Sequence, residues 1–313
     1  MELLRSNHID YLKGLFQEKE TFGYWLTVPF RMNNYFWAIS SLSLLNELSI
    51  IDKETVFSFI KACKCENGGY SGNNGYNSDL HSTLSAIQIC IILENYEQID
   101  VESLFCYVKS LIRPNGTFKN NEYEEDDTKH IYCALAILFL IGKLDQIDLK
   151  NTVEWIISCQ NNDGGFGSIP NRESHAGQVF TALGCLSITN SLNRLDIDDV
   201  AFWLLERQTK NGGFNSRPEK LGDVCYSWWV GASLSNIYCM ELSRIDDLAG
   251  FILSSQDIKG GIADCPGNHP DPYHTFFGLA GLSIIKRFNL EPIDTIYAIP
   301  SNLLKKYMKN KHL

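Results

Sequence analysis

The chain has 313 residues, with 27 Lys and Arg against 37 Asp and Glu, which gives a formal net charge of −10. A hydrophobic share of 44% and a charged share of 20% are typical of a soluble globular protein and exclude a disordered one. The acidic balance argues against a nucleic-acid-binding protein, which would carry a basic surplus or stripe. No apolar run reaches the roughly 18 residues that a transmembrane helix needs, so no transmembrane segment is predicted.

Cysteine usage and the N-terminal residues favour a cytoplasmic location. Residues 1–20 are charged throughout and lack the apolar core of a secretory signal. Ten cysteines in such a chain are expected to be reduced thiols that serve as core residues or as ligands. Cys63-x-Cys65 ends an amphipathic segment without a second cysteine pair to complete a metal site, and is interpreted as core.

Glycine-containing turns divide the chain into equal parts. The first glycine of each turn lies at position 68, 116, 164, 212 or 260, so every step is 48 residues. A constant step of this size indicates a repeat architecture, in which each unit buries its apolar face against its neighbours.

Two apolar segments of helical length lie in each repeat. In chain order the segments are 34–45, 54–65, 81–93, 101–112, 131–142, 151–160, 176–188, 198–208 and 246–256. The segments that lead into a glycine turn are amphipathic, whereas those of the other set are apolar nearly all round, as expected of helices buried on both sides. The pattern predicts an all-α fold, an α/α (α6–α6) barrel of about six helix pairs, in a single domain over residues 1–313. A closed ring is preferred to an open solenoid because the last repeat lacks a polar cap.

Polar residues mark the start of each inner helix. Eleven residues past the first glycines lie Asp79, Asp127, His175, Asp223 and Asp271. Asp is a favoured N-cap, and capping alone would account for Asp79, Asp127 and Asp271. In a closed ring these ends would nevertheless meet at one mouth, where titratable groups around an apolar cavity are typical of an active site. Further polar residues follow within three positions, namely His81, Lys129, His130, Cys225 and His274.

Asp223, Cys225 and His274 have the chemistry of a metal site. They offer a carboxylate, a thiolate and an imidazole, and His274 lies 49 residues after Cys225 at the equivalent place of the next repeat. Three mixed ligands with an open fourth position describe a catalytic zinc site. The alternative is a capping Asp, a buried Cys and a hydrogen-bonded His.

Four further residues bring hydrogen-bond donors to the same end of a net acidic chain. They are His175, Arg217, Lys220 and Tyr226. A cationic cluster beside a metal site suits an anionic leaving group such as diphosphate. Glu124-Glu125-Asp126-Asp127 is instead interpreted as a solvated acidic turn whose last residue faces the mouth.

Three stretches of the sequence resemble the β subunits of protein prenyltransferases. They are GGFGSIPNRESHAGQVF (164–180), GGFNSRPEKLGDVCYSWWVGASL (212–234) and GGIADCPGNHPDPYHTFFGLAGL (260–282), and the likeness extends over about residues 30–290. RPEKL-x-DVCYSWW, ESHAGQ and DPYHT make the chain most similar to the β subunit of Rab (type II) geranylgeranyltransferase. The resemblance implies a barrel bound by a helical-repeat α subunit. It also implies geranylgeranyl diphosphate as lipid donor and Rab GTPases, presented by a Rab escort protein, as substrates.

The resemblance also implies a role for each matching residue. Asp223, Cys225 and His274 match the catalytic zinc ligands, and His175, Arg217, Lys220 and Tyr226 match the residues that hold the isoprenoid diphosphate. Tyr132 and Trp229 match aromatics of the isoprenoid pocket, and Asn33 matches a position where farnesyltransferases have Trp and the type II enzyme Ser. Asp264 matches a carboxylate linked to Mg²⁺ use, where type I enzymes have Lys. Three departures are Lys129 in place of Arg, Thr117 in place of the second glycine of its turn, and Gly222 directly before Asp223.

The predicted reaction is zinc-activated transfer of a geranylgeranyl group to a cysteine thiol, and three alternatives stay open. The chain could be the β subunit of a type I geranylgeranyltransferase or of a farnesyltransferase. A triterpene-type cyclase shares such barrels but needs an Asp-x-Asp-Asp acid motif, and the nearest sequence here begins with Glu124. A non-catalytic helical-repeat scaffold would have no reason to keep three metal-type residues in phase.

Overall fold

The computed structural model describes residues 1–17, 27–121 and 125–311. Within these ranges the chain forms thirteen α-helices joined by turns and short 3₁₀ helices, with isolated β-bridges and no β-strand. The predicted all-α class is therefore confirmed. The helices are α1 (Arg5–Gln17), α2 (Arg31–Leu44), α3 (Lys53–Ala62), α4 (Leu80–Ile92), α5 (Val101–Ser110), α6 (Thr128–Leu140), α7 (Lys150–Ser158), α8 (Ala176–Ile188), α9 (Ile197–Leu205), α10 (Tyr226–Asn236), α11 (Ile245–Ser254), α12 (Pro272–Ile284) and α13 (Ser301–Lys311).

Six helices form a closed inner ring. In order around the ring they are α2, α4, α6, α8, α10 and α12; each packs against the next, and α12 packs against α2. Almost every side chain of α4 and α6 is buried, because these helices touch neighbours on both sides and the outer layer behind them. The α/α barrel predicted from the 48-residue repeat is thus confirmed.

The outer layer consists of α1, α3, α5, α7, α9 and α11. These helices are amphipathic: in α3, for example, Val56 and Ile60 are buried, while Lys53 and Glu54 are exposed. Helix α1 is a sixth outer helix that the sequence pattern did not predict. It packs against α2 and buries Leu12 and the polar residue His8, whereas its other apolar side chains at the core are only partly buried. The apolar residues of this segment are therefore too few to form a pattern that predicts a helix.

The glycine turns join each repeat to the next outer helix. Gly164 has φ +88°, and a Cβ there would lie 2.5 Å from the carbonyl oxygen of Asp199 in α9. At the last turn Gly260 has φ +101°, and its Cβ would lie 2.0 Å from the carbonyl oxygen of Asn7 in α1. Only glycine tolerates both the left-handed backbone and this close approach. The last glycine turn therefore packs onto the first outer helix and closes the outer layer.

A buried histidine completes this junction. His8 in α1 is fully buried; its Nδ1 accepts the Gly261 N–H at 2.9 Å, and its Nε2 lies 2.9 Å from the Gln256 side-chain oxygen. Burial lowers the pKa of His8, although the Gln256 hydrogen bond opposes this shift. The neutral ring suits both bonds, since one nitrogen must accept and the other donate.

The two ends of the ring differ. At one end the inner helices begin side by side: the N–H groups of Thr128, Ala176 and Val224 donate to carbonyls of the neighbouring repeat at 2.8–3.0 Å. At the other end the C-terminal segment covers the ring, where Gln88 donates to the carbonyl of Tyr297 at 2.7 Å and Tyr132 to that of Ile296. The first end is called the mouth below. None of the helices described is both long and apolar enough to cross a membrane.

Candidate metal centre and diphosphate site

The polar residues predicted at the starts of the inner helices do act as caps. Asp79, Asp127 and Asp271 accept backbone N–H groups of the first turns of α4, α6 and α12. His175 does the same through its ring, since Nδ1 accepts the Gly177 N–H at 3.1 Å. Asp223 accepts the N–H of Cys225 at 2.8 Å. The capping interpretation is correct, but it does not exhaust the chemistry of these residues.

Asp223, Cys225 and His274 meet at the mouth. One donor atom of each lies within 4.8 Å of the other two, and His274 Nε2 is 3.4 Å from a carboxylate oxygen of Asp223. Adjacent inner helices hold the three residues, because Asp223 and Cys225 immediately precede α10 and His274 lies in the first turn of α12. The convergence expected from the repeat phase is therefore present.

Asp271 orients the histidine, a role that the sequence interpretation assigned only to capping. One oxygen of Asp271 accepts the His274 backbone N–H at 2.8 Å, and the other lies 2.6 Å from His274 Nδ1. This contact assigns the Nδ1 proton and leaves Nε2 facing Asp223 and Cys225. A metal-binding histidine is commonly held by a carboxylate in this way. The Asp-x-x-His spacing at a helix start was the available signal.

Burial and mutual contacts shift the pKa values of all three residues of this cluster. Burial opposes ionisation of Asp223, but hydrogen bonds to His274 and Cys225 outweigh it and lower its pKa. Burial likewise disfavours charged His274, yet the carboxylates of Asp223 and Asp271 raise its pKa to about 9. Burial, followed by the Asp223 charge, raises the pKa of the Cys225 thiol. A cation held by the three residues would favour the thiolate of Cys225 over its thiol.

The donor set fits zinc. One sulfur, one imidazole nitrogen and one carboxylate oxygen are the three ligand types that Zn²⁺ takes in proteins. Three protein ligands leave one position for a substrate, as in catalytic rather than structural sites. Cys63 is buried in the hydrophobic core as predicted, whereas the prediction is wrong for Cys65, which is half-buried outside that core and bonds backbone carbonyls instead.

The predicted diphosphate residues border the cluster. The Tyr226 hydroxyl lies 3.4 Å from His175 Nε2, and their rings pack edge to face at 5.8 Å. Burial, with the Arg217 charge, lowers the pKa of His175, so the ring is neutral near pH 7. Since its Nδ1 accepts the Gly177 N–H, its proton is on Nε2, which presents a donor beside Tyr226.

Arg217 and Lys220 lie on an exposed loop of the mouth. Arg217 forms an ion pair with Glu173, a partner for which the sequence offered no signal. Lys220 is exposed, and its N–H donates to the Arg217 carbonyl at 3.4 Å. Asp264 belongs to the next repeat: its carbonyl accepts the Val224 N–H, and its carboxylate accepts the Asn268 amide at 2.9 and 3.2 Å.

A row of packed aromatic rings extends from the metal-type cluster. Trp229 packs against Phe277 at 4.7 Å and Phe180 at 5.0 Å, and Phe180 packs against Tyr132 at 5.3 Å. Tyr273, which the sequence interpretation missed, accepts the Trp229 indole N–H at 3.2 Å. The aromatic residues Tyr273 and Phe277 are four apart in α12, so they share one face of that helix. Tyr132 and Trp229 therefore belong to one row of packed aromatic rings.

The remaining predicted mouth residues lie further round the ring. His81 and His130 pack against each other with ring centroids 5.7 Å apart, and Lys129 Nζ is 3.9 Å from Asp127. The Asn33 amide donates to the Ser85 hydroxyl at 3.0 Å, across the α2–α4 contact. Of the acidic turn, Glu124 lies outside the described residues.

Two curated relatives share local similarity with the chain. A segment of 89 residues is 47% identical to the probable geranylgeranyl transferase type-2 subunit beta of Dictyostelium discoideum, over 28% of this chain and 26% of the relative. Another of 90 residues is 39% identical to the geranylgeranyl transferase type-2 subunit beta of Saccharomyces cerevisiae, over 28% of each. The chain thus spans little more than a quarter of the length of the curated relatives it matches.

Wider comparisons cover nearly the whole chain. The structure of Candida albicans protein geranylgeranyltransferase-I complexed with GGPP superposes with a TM-score of 0.89 over 99% of both chains, at 24% identity, and this likeness shows a common fold. The match in sequence extends as far, because residues 3–299 correspond to the prenyltransferase alpha-alpha toroid domain, and the chain therefore belongs to that family.

Proposed function

We propose that the chain is the catalytic β subunit of a type II protein geranylgeranyltransferase. It would transfer geranylgeranyl from geranylgeranyl diphosphate to C-terminal cysteine thiols of Rab GTPases. The observation that carries the proposal is the meeting of Asp223, Cys225 and His274 within 4.8 Å at the mouth of the ring. The names of the relatives, both type-2 beta subunits, favour type II over type I.

The three clustered residues would hold zinc. When bound, zinc supplies a Lewis acid that lowers the pKa of a coordinated substrate thiol, so that thiolate is present at neutral pH. Asp271 keeps the imidazole of His274 in the orientation that presents Nε2. In the reaction a sulfur–C1 bond forms while the C1–oxygen bond breaks, and negative charge develops on the departing diphosphate.

The neighbouring donors would stabilise that charge. His175 and Tyr226 present N–H and O–H donors, and Arg217 and Lys220 add two positive charges. Donors that are already oriented act without reorganisation when the charge appears, and removing one such donor costs about 2.7–4 kcal/mol in oxyanion holes. Asp264 would bind Mg²⁺ together with diphosphate oxygens, since Mg²⁺ is commonly held by one or two carboxylates and substrate phosphates.

The lipid chain would lie along the row of aromatic rings. Tyr132 and Trp229 provide apolar surface on adjoining parts of it. The hydrogen bond to Ser85 holds the Asn33 amide against α4. A residue smaller than Trp at this position leaves room for a 20-carbon chain, which favours geranylgeranyl over farnesyl.

Further features of the proposal concern assembly and place. We propose that the chain works as one domain in a heterodimer with a prenyltransferase α subunit, in the cytoplasm, and accepts Rab GTPases from a Rab escort protein. The Candida albicans structure contains bound GGPP, and the fold that it shares with this chain is what supports geranylgeranyl diphosphate as the proposed lipid donor.

The cyclase alternative finds no support in the acidic turn. Asp126 accepts the Thr117 hydroxyl at 2.6 Å and pairs with Arg113 at 3.0 Å, while Asp127 caps α6. Both carboxylates are thus engaged in structural contacts, whereas an acid catalyst must reach its substrate. A scaffold would account for neither the metal-type cluster nor the adjacent donors.

The decisive experiment is co-expression with a prenyltransferase α subunit, followed by transfer assays on a Rab protein. Geranylgeranyl transfer that needs the escort protein supports type II. Transfer to an isolated C-terminal CaaX peptide, or a preference for farnesyl, would support type I or a farnesyltransferase instead. Arg217→Ala is expected to weaken diphosphate binding or slow turnover, and unchanged kinetics would remove Arg217 from the site.

A further inference from the structure

The loop that carries Arg217 and Lys220 projects from the mouth. Its base is closed where the Asp223 N–H donates to the Phe214 carbonyl at 2.9 Å. The tip is exposed from Pro218 to Leu221, and Glu219 within it has φ +64°. Arg217 is held from outside by its ion pair with Glu173, and the backbone that carries both cations is held from inside the loop.

Asn215 holds the loop at both ends. Its side chain is 6% exposed, and its backbone N–H donates to the Arg207 carbonyl at 2.9 Å, which ties it to the segment after α9. Its amide Nδ2 donates to the carbonyl of Lys220 at 2.8 Å, across the loop. The next residue, Ser216, accepts the Ala176 N–H at 2.8 Å, directly after the His175 cap. One buried side chain thus links the framework to the backbone of the cationic tip.

We propose that Asn215 is a positioning residue for diphosphate binding, which fixes Arg217 and Lys220 at the mouth without touching the ligand. The inference rests on the proposed function for the identity of the ligand. Loss of the Asn215 amide would leave the charges of Arg217 and Lys220 unchanged, but the loop that carries them would be free to move. Diphosphate binding would then be weaker, because part of the binding free energy would be spent on ordering the loop.

Ser71 provides a matched control at the same place in the first repeat. It also lies three residues past the first glycine of its turn, and its N–H donates to the Cys63 carbonyl at 3.0 Å, as Asn215 does to Arg207. Its hydroxyl donates to the carbonyl of Asn73 at 2.7 Å and is equally buried. Residues 71–78 contain no Arg or Lys. Ser71→Ala therefore removes a comparable loop contact without moving a cation.

The test uses the full chain in complex with its α subunit and inorganic pyrophosphate as the probe. Calorimetric titration is expected to show about tenfold weaker binding for Asn215→Ala, in line with partial loss of a charge-assisted contact, and a change within about twofold for Ser71→Ala. In turnover, KM for the diphosphate substrate should rise more than kcat falls, with zinc content unchanged. Equal affinity in Asn215→Ala and the parent protein would overturn the inference.

A double-mutant cycle separates positioning from general destabilisation. If Asn215 acts through the two cations, Asn215→Ala should have little further effect in an Arg217→Ala, Lys220→Ala background. Additive losses would refute the positioning role. Should Asn215→Ala fail to fold, Asn215→Asp keeps the side-chain volume but cannot donate to the Lys220 carbonyl, and the same cycle applies. Equal pyrophosphate binding by the parent protein and the Arg217→Ala, Lys220→Ala variant would also overturn the inference, whereas a parent protein that binds no pyrophosphate would count against the proposed function itself, which is a different outcome.

Discussion

Glu173 is predicted to compete with diphosphate for Arg217. The carboxylate pairs with the guanidinium and lies two residues before His175, so it occupies the place from which the predicted diphosphate donors act. A phosphate group can bind Arg217 fully only by displacing Glu173 or by accepting its repulsion. We therefore expect Glu173→Gln to bind inorganic pyrophosphate more tightly than the parent protein.

The size of the effect follows from the exposure of the pair. The Arg217 side chain is 36% exposed and that of Glu173 is 62% exposed, so solvent screens their attraction. Exposed ion pairs contribute about 0.2–1 kcal/mol. Removing the carboxylate also removes a repulsion of similar size between like charges in a high dielectric. A combined gain of about 1 kcal/mol corresponds to roughly fivefold tighter binding.

Calorimetric titration of pyrophosphate at two ionic strengths measures the effect. The gain should shrink at the higher salt concentration, because screening weakens both contributions. Glu154→Gln is the matched control. Glu154 lies in the outer helix α7, away from the mouth, and forms a similarly exposed ion pair with Arg194. Weaker pyrophosphate binding in Glu173→Gln would refute the reasoning, because it would mean that Glu173 holds Arg217 in a productive position.

Three further predictions concern the metal, the ring and acid stability. Cys225→Ala and His274→Ala should each deplete bound zinc in metal analysis while far-ultraviolet circular dichroism stays unchanged, and full zinc content in both would contradict the ligand assignment. Gly260→Ala is expected to lose at least about 2 kcal/mol in urea unfolding through its left-handed φ and the contact with α1, whereas Gly250→Ala, with no neighbouring atom within 4 Å of the new methyl, should gain about 1 kcal/mol. Burial, with the charges of nearby basic groups, lowers the pKa of His130 from 6.5 to about 3, so the unfolded chain binds its proton more readily. Stability should therefore fall as the pH drops from about 6.5 towards 3, and His130→Gln should flatten that part of the profile.

The ring could be predicted because its glycine turns recur in the sequence at a constant spacing. Each first glycine serves the same approach of a turn to the next outer helix, so the 48-residue step follows from one repeated contact. Helix α1 was not predicted, since it is held by backbone contacts to Gly260 and by His8 more than by an apolar face. Contacts of that kind leave no periodic signal in the sequence.

Thr117 shows how a departure from the pattern is accommodated. At three other turns a Cβ on the second glycine would press into a buried aromatic ring of the next outer helix, namely Gly69 into Tyr107, Gly165 into Trp203 and Gly213 into Phe251. Trp155 stands at the equivalent position of the repeat, 38 residues after Thr117, and it is only partly buried. The Thr117 hydroxyl instead bonds Asn115 and Asp126. At this turn a hydrogen-bonded threonine thus stands where the other turns have a glycine.

The candidate site was predictable as far as it follows the repeat phase. Asp223, Cys225 and His274 could be found because they stand at equivalent positions of adjacent repeats. Glu173 and Asn215 could not, since their roles depend on a loop path and on backbone carbonyls of residues several positions away. Side chains that bond to backbone need no complementary residue, so no pair in the sequence reveals them.

The cap position explains why structure and chemistry share residues at the mouth. A cap needs only one acceptor, and both carboxylates and imidazoles carry a second polar atom. At Asp79 that second oxygen accepts the hydroxyl of Ser82 in the same turn, so nothing is left for a ligand. At Asp271 it holds His274, and at His175 the free Nε2 faces Tyr226. The caps with a second role precede α8 and α12, and the metal-type residues Asp223 and Cys225 precede α10 between them, which places the candidate site on one side of the mouth.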